Sequence, residues 1–248
     1  MVDTHCHIFK EYYDSIDEIV RRAIDNGVKM LIVNGCDKRT NTEVLELVKK
    51  YDIVYGALGI QPEEIDDYTD DSINFIEKHI NDEKIVAVGE IGLDFHYDIN
   101  KEKQKEMFKR QLDIAKKYNK PVIIHSRDCI QETYNILKSY NLRGVMHCYS
   151  GSVEMAHEFN KIGFLLGIGG ICTFKNARRM IDVIRDISLE YILLETDSPY
   201  LAPEPYRGKK NEPSFIPIIA NKIAEIKEVS LNCVIDTTTA NAICLFDK

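Results

Sequence analysis

The sequence lacks the cysteine pattern of a domain held together by disulfides. Its seven cysteines are an odd number, and no two of them form a C-x-x-C pair. A chain of 248 residues is long enough to bury a hydrophobic core without covalent cross-links. We therefore predict reduced thiols and a reducing compartment.

The sequence also lacks the segments that would carry it across or into a membrane. The first residues contain no basic stretch followed by an apolar stretch, which is the pattern of a secretory signal. The longest apolar run, at 164–172, is too short to span a bilayer. We expect a cytoplasmic protein with no membrane partner. The oligomeric state stays open at this point, and we favour a monomer.

Two further absences concern nucleotides and linkers. The glycines at 167–170 lack the spacing and the acidic partner of a nucleotide-binding loop, and no phosphate loop is present. No stretch rich in Gly, Ser or Pro divides the chain, and no segment is of low complexity. We predict a single domain over residues 1–248.

Positive charge is in deficit. The chain has 40 acidic and 32 basic residues, which gives a formal net charge of −8. A protein of this charge does not coat nucleic acid non-specifically through its overall field. A local basic patch can still bind phosphates, so the charge limits the mode of binding without excluding the ligand.

What the sequence does contain is a regular alternation of apolar strands and amphipathic helices. Eight strands are predicted near residues 2–8, 28–33, 53–59, 85–90, 121–125, 144–147, 164–168 and 191–197. Near-continuous apolar strands separated by helices indicate a parallel sheet covered by helices. Eight such units in about 250 residues predict an α/β fold of the (β/α)8 TIM-barrel type. Two extra C-terminal helices follow, one starting at Pro213 and one capped by Ser230. The alternative is an open doubly wound sheet, because periodicity cannot show closure.

Six potential metal ligands lie on or at the ends of these predicted strands. His5 and His7 lie on one face of the first strand, because strand side chains alternate. The other four stand at the ends of strands four, five, six and eight: Glu90, His125, His147 and Asp197. The C-terminal ends of parallel barrel strands meet at one rim. Four imidazoles and two carboxylates are more than one ion needs, so we predict two divalent ions with Glu90 as a bridge.

Each of these residues has an ordinary explanation when taken alone. A single histidine at a strand end is usually hydrogen-bonded, Glu90 can cap a helix, and Asp197 can start a turn. That explanation must be invoked six times at equivalent positions, which argues against it. The cysteines beside the ligands, Cys6 and Cys148, should face away from the metals by alternation.

With these residues in place, the chain resembles the TatD family of metal-dependent deoxyribonucleases, which are amidohydrolase-like barrels. The motifs keep the family's order over nearly the whole chain: D-T-H-C-H at 3–7, G-E-I-G-L-D at 89–94, H-S-R at 125–127, H-C-Y-S-G at 147–151, T-F-K-N-A at 173–177, E-T-D-S-P-Y-L at 195–201 and R-G-K-K-N-E-P at 207–213. The resemblance implies the same six metal ligands.

One position departs from the family pattern. Where the family commonly has His-Pro after the third strand, this chain has Gln61-Pro62. The resemblance implies that the missing histidine would help to hold substrate or a phosphate. Gln61 can donate a hydrogen bond but carries no charge, so we expect phosphate affinity or substrate preference to differ from the family norm.

The chemistry that we predict is hydrolysis of DNA phosphodiester bonds, on ends or single strands, with Zn, Mg or Mn as the two ions. Asp197 would accept the proton of the attacking water, with Glu90 as the second catalytic carboxylate. Basic residues on the loops after the strands would hold phosphates: Arg127, Lys175, Arg178, Arg207, Lys209 and Lys210.

Two other functions compete with this interpretation. The same site could hydrolyse a small lactone, amide or phosphotriester, although the basic loops favour a polyanion. A non-catalytic, metal-stabilised interaction protein is the third candidate, and it does not explain why ligands gather at a barrel mouth.

Overall fold

The computed structural model describes residues 1–65 and 68–247. Eight parallel strands form one sheet in which each strand pairs with the next along the chain. They are β1 Val2–Cys6, β2 Met30–Asn34, β3 Val54–Leu58, β4 Ile85–Asp94, β5 Val122–Arg127, β6 Gly144–Met146, β7 Phe164–Ile168 and β8 Ile192–Leu194. All eight predicted strands are confirmed, with small differences at their ends.

The first and last strands lie side by side and bring the sheet round to a nearly closed barrel. The amide of Asp197 donates to the carbonyl of His5 at 2.9 Å. The buried carboxylate of Asp3 accepts from the amide and the hydroxyl of Thr196, at 2.9 and 2.6 Å. An open doubly wound sheet has no contact between its first and last strands in this order. The TIM-barrel prediction is therefore confirmed.

Helices follow each strand on the outside of the barrel. They are α1 Ile16–Asp25, α2 Lys38–Lys50, α3 Asp70–His79, α4 Lys101–Tyr118, α5 Ile130–Leu137, α6 Val153–Lys161, α7 Arg178–Asp186, α8 Ile216–Lys227 and α9 Leu231–Phe246. Ser230 caps α9 by accepting a hydrogen bond from the amide of Cys233, as predicted. Pro213 opens a short 3-10 turn that leads into α8.

Apolar side chains fill the barrel interior below the rim and close its lower end. Val2, Ile32 and Ile123 point inward from three strands and belong to one buried cluster. Ala242 and Phe246 of α9 join the same cluster, so the last helix covers the N-terminal end of the barrel. This leaves the C-terminal end of the barrel for the functional site.

The described residues contain no single helix that is long and apolar enough to cross a membrane. Only the bent pair Pro213–Lys227 and Leu231–Phe246, with 113° between them, meets the length and composition requirement when taken together.

Three predicted strand ends lie elsewhere. His125 does not end β5, which continues to Arg127. Glu90 does not end β4, which continues to Asp94 because its upper half pairs with β5 as far as Arg127. Asp197 stands three residues beyond the end of β8, in a turn with a positive φ of 56°. The rim is thus higher on the β4–β5 side than on the β8 side.

Candidate metal centre

Four of the predicted ligands form a compact group at the rim. The two Nε2 atoms of His5 and His7 are 3.0 Å apart. Glu90 Oε2 lies 3.4 and 3.6 Å from them. Asp197 Oδ1 lies 3.8 and 3.6 Å from the same two nitrogens. Atoms that bind one divalent ion at about 2.0–2.2 Å stand about 3–4 Å apart, so this group fits a metal ion.

A second group shares Glu90 with the first. Glu90 Oε1 lies 2.8 Å from Nδ1 of His125 and 4.0 Å from Nε2 of His147. His147 Nε2 is also 3.7 Å from Asp197 Oδ1. The two oxygens of Glu90 therefore face different histidine pairs, one oxygen to each. All six predicted ligands lie together at this rim.

Both predicted histidine ligands outside β1 have a buried carboxylate beside the ring nitrogen that faces away from Glu90. His125 Nε2 contacts Asp94 Oδ2 at 3.0 Å, and His147 Nδ1 contacts Glu195 Oε1 at 3.1 Å. His7 Nδ1 contacts the main-chain carbonyl of Asn34 at 2.9 Å. Such partners fix the tautomer and the ring orientation of a metal-ligating histidine. The far-side partners leave the near-side nitrogens directed at the two groups.

Sequence reasoning missed Asp94 and Glu195, which are both completely buried. A signal was available for each. Asp94 is four residues after Glu90 on the same strand, so alternation places both on one face. Glu195 is two residues before Asp197 in the segment predicted as the eighth strand, which would also place both on one face, although β8 ends at Leu194 in the structure. In the structure the carboxylate of Glu195 packs against Gly167, where a Cβ would collide with it.

The prediction for the cysteines is right for Cys6 and wrong for Cys148. Cys6 is buried on the outer side of β1, where its thiol donates to the carbonyl of Ile32. Cys148 lines the cavity over the site. Strand alternation does not apply there, because β6 ends at Met146 and Cys148 has a φ of 44°. Cys36 also lies beside the site, with its sulfur 3.6 Å from His7 Nδ1.

Negative charge dominates the electrostatics of the centre. Four carboxylates are buried there: Glu90, Asp94, Glu195 and Asp197, with side chains at most 14% exposed. Within the described ranges, no Lys or Arg comes within ion-pair distance of any of them, and their partners are histidines. Buried carboxylates without a compensating cation are costly. The donor set therefore fits divalent cations, which would supply the missing positive charge.

The pKa directions follow from this balance. Burial and the neighbouring His147 lower the pKa of His5 to about 4, so its imidazole is neutral and able to ligate at pH 7. Burial would lower the pKa of His125 too, but Asp94 and Glu90 outweigh it and raise this pKa to about 10. Burial would raise the pKa of Asp197, yet the histidines around it hold this pKa below its usual range. The carboxylates thus favour a positive charge beside them, either on a protonated histidine or on a metal ion.

A cavity of about 580 Å³ lies over the centre. Two predicted substrate residues, Gln61 and Arg127, line it. The guanidinium of Arg127 lies over the ring of Tyr97, 5.4 Å from its centroid. The remaining wall also carries Arg39, which pairs with Glu11 at 2.8 Å, and four acidic side chains: Glu11, Asp37, Glu63 and Glu64. Glu63 stands within reach of Asp94 and His125.

The other predicted substrate residues lie outside this cavity. Lys175, Arg207 and Lys209 are exposed and are not among its lining residues. Arg207 covers the ring of Phe174 at 4.3 Å, and Lys209 lies 5.8 Å from the ring of Tyr206. The structure thus separates the basic loops from the metal centre, and their role in binding substrate stays a prediction.

Comparison with known proteins relates the whole chain to one group. The family model described as TatD related DNase matches residues 2–247. The Bacillus subtilis protein YabD, described as an uncharacterized metal-dependent hydrolase, is 41% identical over 99% of this chain and 98% of its own length. The crystal structure of YjjV, a TatD homologue from Escherichia coli, superposes with a TM-score of 0.96 at 32% identity, covering 100% of this chain and 98% of that one.

More distant structures share the fold alone. A mutant of a PTE-like lactonase from Deinococcus radiodurans has a TM-score of 0.71 at 15% identity, covering 99% of this chain and 95% of that chain. The family match, by contrast, extends over the strands that carry every predicted ligand. This chain belongs to the TatD-related DNase family, whose relatives named here are metal-dependent hydrolases.

Proposed function

We propose that this protein hydrolyses phosphodiester bonds of DNA with two divalent metal ions. The observation that carries the proposal is the shared carboxylate of Glu90. One of its oxygens faces His5 and His7, and the other faces His125 and His147. A carboxylate with one oxygen toward each of two histidine pairs is suited to bridging two cations.

The residues would divide the two ions between them. His5, His7 and Asp197 would hold one ion, His125 and His147 the other, with Glu90 on both. Zn, Mn and Mg are all compatible with imidazole and carboxylate ligands to different degrees. When bound, the ions lower the pKa of a water toward about 7 and offset the charge that builds on the phosphate.

The side chains around the ions have separate tasks in the proposed reaction. Asp197 accepts the proton of the attacking water, because its carboxylate stays ionised among the histidines. Arg127 and Gln61 reach the substrate from the cavity wall. Arg127 offers the phosphate a planar pair of donors, and Gln61 offers an uncharged one. The carboxylates of Asp94 and Glu195 orient the two histidines of the second group.

The shape of the site supports action on ends or single strands. A cavity of about 580 Å³ is in the range of small-ligand sites, about 300–1,000 Å³, and does not suit an intact duplex. Its acidic wall also repels a continuous phosphate backbone. Arg127 on the cavity wall would meet the phosphate of a single nucleotide at a chain end.

A second candidate function is hydrolysis of a small lactone, amide or phosphotriester. It is favoured by one observation: the basic residues Lys175, Arg207 and Lys209 lie outside the cavity, whose wall carries more acidic than basic side chains. An uncharged substrate would meet no repulsion there. The family relation favours DNA instead.

The test compares these substrates on metal-free and metal-restored protein. Metal removal with EDTA, verified by metal analysis, should abolish cleavage of a labelled single-stranded oligonucleotide. Adding back Mg²⁺, Mn²⁺ or Zn²⁺ should restore it, with a ladder that shortens from one end. A neutral lactone, an amide and a phosphotriester are assayed beside it. Cleavage of DNA by verified metal-free protein would refute the proposal of two catalytic metal ions. Turnover of a neutral substrate alone would favour the second candidate function.

A further inference from the structure

Apolar side chains are left exposed at the mouth of the cavity. Most large apolar residues of the described chain are buried, and those exposed by more than a third are few: Ile24, Tyr97, Tyr191, Tyr200, Leu201, Tyr206, Val229 and Ile243. Three of these, Tyr97, Tyr200 and Leu201, line the cavity over the metal centre. Exposed apolar surface that gathers at a cavity mouth marks a ligand-contact surface.

Two of the three are neighbours in the turn that follows Asp197. The amide of Tyr200 donates to the carbonyl of Asp197 at 2.8 Å, which ties the turn to the metal centre. Leu201 has a φ of 54°, in the left-handed region that bulky residues rarely adopt. Leu201 is also 38% exposed, so burial of its side chain does not account for this conformation. This points to a role in binding.

The ring of Tyr200 is placed to receive a planar group beside the centre. Its centroid lies 6.3 Å from the ring of His7 and 6.0 Å from the ring of Tyr12, and both contacts are edge-on. Its hydroxyl donates to the hydroxyl of Tyr12 at 3.1 Å. This hydrogen bond holds the two rings at 69° to each other. Tyr200 as a whole is 50% exposed.

The third exposed residue at the mouth, Tyr97, already has a cation over its ring. The guanidinium of Arg127 lies over it, and the Arg127 Nη1 donates to its hydroxyl at 3.4 Å. No cation lies over Tyr200 in the part of the chain that the structure describes. The two walls therefore differ: one presents a cation for a phosphate, and the other presents a bare aromatic ring.

We propose that Tyr200, Tyr12 and Leu201 form a subsite that stacks one unpaired nucleobase, that of the nucleotide whose phosphate is cleaved. The inference rests on the proposed function and extends it. Base and aromatic ring stack without regard to base identity, because every base has a π-face. The subsite accepts only a base that is free of its partner strand, which makes a terminal or single-stranded nucleotide the substrate. Leu201 covers the edge of the stacked base.

The experiment compares oligonucleotides that carry a normal or an abasic residue at the cleaved end. Wild-type protein should show a KM for the abasic end that is about 5- to 100-fold higher, the loss expected for one stacked base. Tyr200→Leu should raise KM for the normal end by a similar factor and leave the abasic substrate unchanged. Tyr200→Phe keeps the ring and should stay within a few-fold of wild type.

Tyr191→Leu is the matched control, because Tyr191 is similarly exposed but lies before β8, at the other end of the barrel. It should behave as wild type on both substrates. Equal discrimination against the abasic end by wild type and Tyr200→Leu would overturn the inference. Circular dichroism of each variant separates loss of the subsite from loss of the fold.

A second readout separates this inference from the proposed function. Fluorescence of a 2-aminopurine deoxynucleotide should be quenched by metal-loaded wild-type protein and by Tyr200→Phe, but much less by Tyr200→Leu. If wild-type protein fails to cleave any DNA yet shows this difference, the subsite stands and the proposed nuclease activity falls. If DNA is cleaved and all variants quench alike, the activity stands and the subsite is refuted.

Discussion

Asp197 occupies a backbone conformation that suits asparagine as well as aspartate. Its φ of 56° lies in the left-handed region, where both residues are enriched. A change to Asn therefore alters the chemistry of the side chain without straining the turn. Asp94 is the last residue of β4, and its buried carboxylate meets His125 at 3.0 Å, so a change to Asn there removes the charge and keeps the size of the side chain. These two positions allow the charge at the centre to be tested one residue at a time.

For Asp197→Asn we expect kcat to fall by at least about 100-fold at saturating metal. Asn keeps one acceptor oxygen but is too weak a base to take the proton of the attacking water, and loss of a general base costs about 10²–10⁴-fold. The measurement is kcat on DNA, with circular dichroism as the control for folding. If Asp197 were only a turn residue before Pro199, turnover would stay near the wild-type value.

Asp94→Asn should act on metal affinity more than on the chemical step. The variant keeps the size of the side chain but removes the negative charge that orients His125, and loss of such a partner costs about 10–100-fold in metal affinity. Metal titration of activity measures the shift. Asp128→Asn is the control, because Asp128 is an exposed carboxylate on the adjoining loop, paired with His96. An unchanged metal affinity in Asp94→Asn would show that His125 needs no such partner.

At the scale of elements, the C-terminal segment is tied to the first helix by one ion pair. Arg22 of α1 donates Nε and Nη2 to the two oxygens of Glu212, at 3.0 and 2.7 Å. Ser214 also donates to this carboxylate. Glu212 is 15% exposed, so the pair is partly shielded from solvent. It holds the start of the 3-10 turn before α8 against the barrel.

Glu212→Gln should lower the free energy of unfolding by about 1–2 kcal/mol at pH 7, the range for charged hydrogen bonds that are partly exposed. Burial would raise the pKa of Glu212, but Arg22 and Ser214 outweigh it and lower this pKa. A carboxyl with a depressed folded pKa stabilises above its unfolded pKa of about 4.3. The deficit of the variant should therefore be constant above about pH 5 and shrink below it. Denaturant unfolding from pH 3 to pH 7 measures it.

The control for this pair is Glu18→Gln. Glu18 approaches the same Arg22 at 3.5 Å, but its side chain is 63% exposed. An exposed pair contributes little, so this variant should unfold like wild type at every pH. A deficit of equal size in both variants would assign the effect to the charge of Arg22 and not to the link between α1 and the C-terminal segment.

At the scale of the whole molecule, DNA binding depends either on the net charge or on a local patch formed by Lys175, Arg207 and Lys209. The formal net charge is −8, and the exposed basic residues Lys175, Arg207 and Lys209 lie on the rim loops outside the cavity. If they contact phosphates beyond the cleaved nucleotide, their effect depends on position. If DNA responds only to the overall field, any three positive charges are equivalent.

Changing Lys175, Arg207 and Lys209 together to Ala should raise KM for DNA and flatten its dependence on salt by up to about two log units per log unit. A control triple of Lys29, Lys49 and Lys138, exposed lysines toward the other end of the barrel, also takes the net charge from −8 to −11 by removing three positive charges. It should leave the salt slope unchanged. Cleavage of a small chromogenic phosphodiester should be the same in both. Equal slopes for the two triples would refute the local patch.

Local sequence patterns were enough to predict the strands, the helices and the six candidate ligands. Apolar runs of strand length and stripes of helical spacing determined all eight strands and the helices between them, because both signals depend on near neighbours. The six ligands could be named for the same reason: each stands on or just past an apolar strand, and parallel strands end at one rim. These predictions do not depend on which strands pair with one another.

Contacts between distant segments were decided by the tertiary structure alone. Closure of the barrel depends on Asp3 meeting Thr196 across the whole chain, which no periodicity reports. The extension of β4 to Asp94 depends on its pairing with β5, and the position of Cys148 depends on a turn whose φ is positive. The sequence placed Lys175, Arg207 and Lys209 at the site together with Arg127, but only Arg127 lines the cavity in the structure. Sequence determined which residues reach the rim, and only packing across the barrel decided which of them face one another.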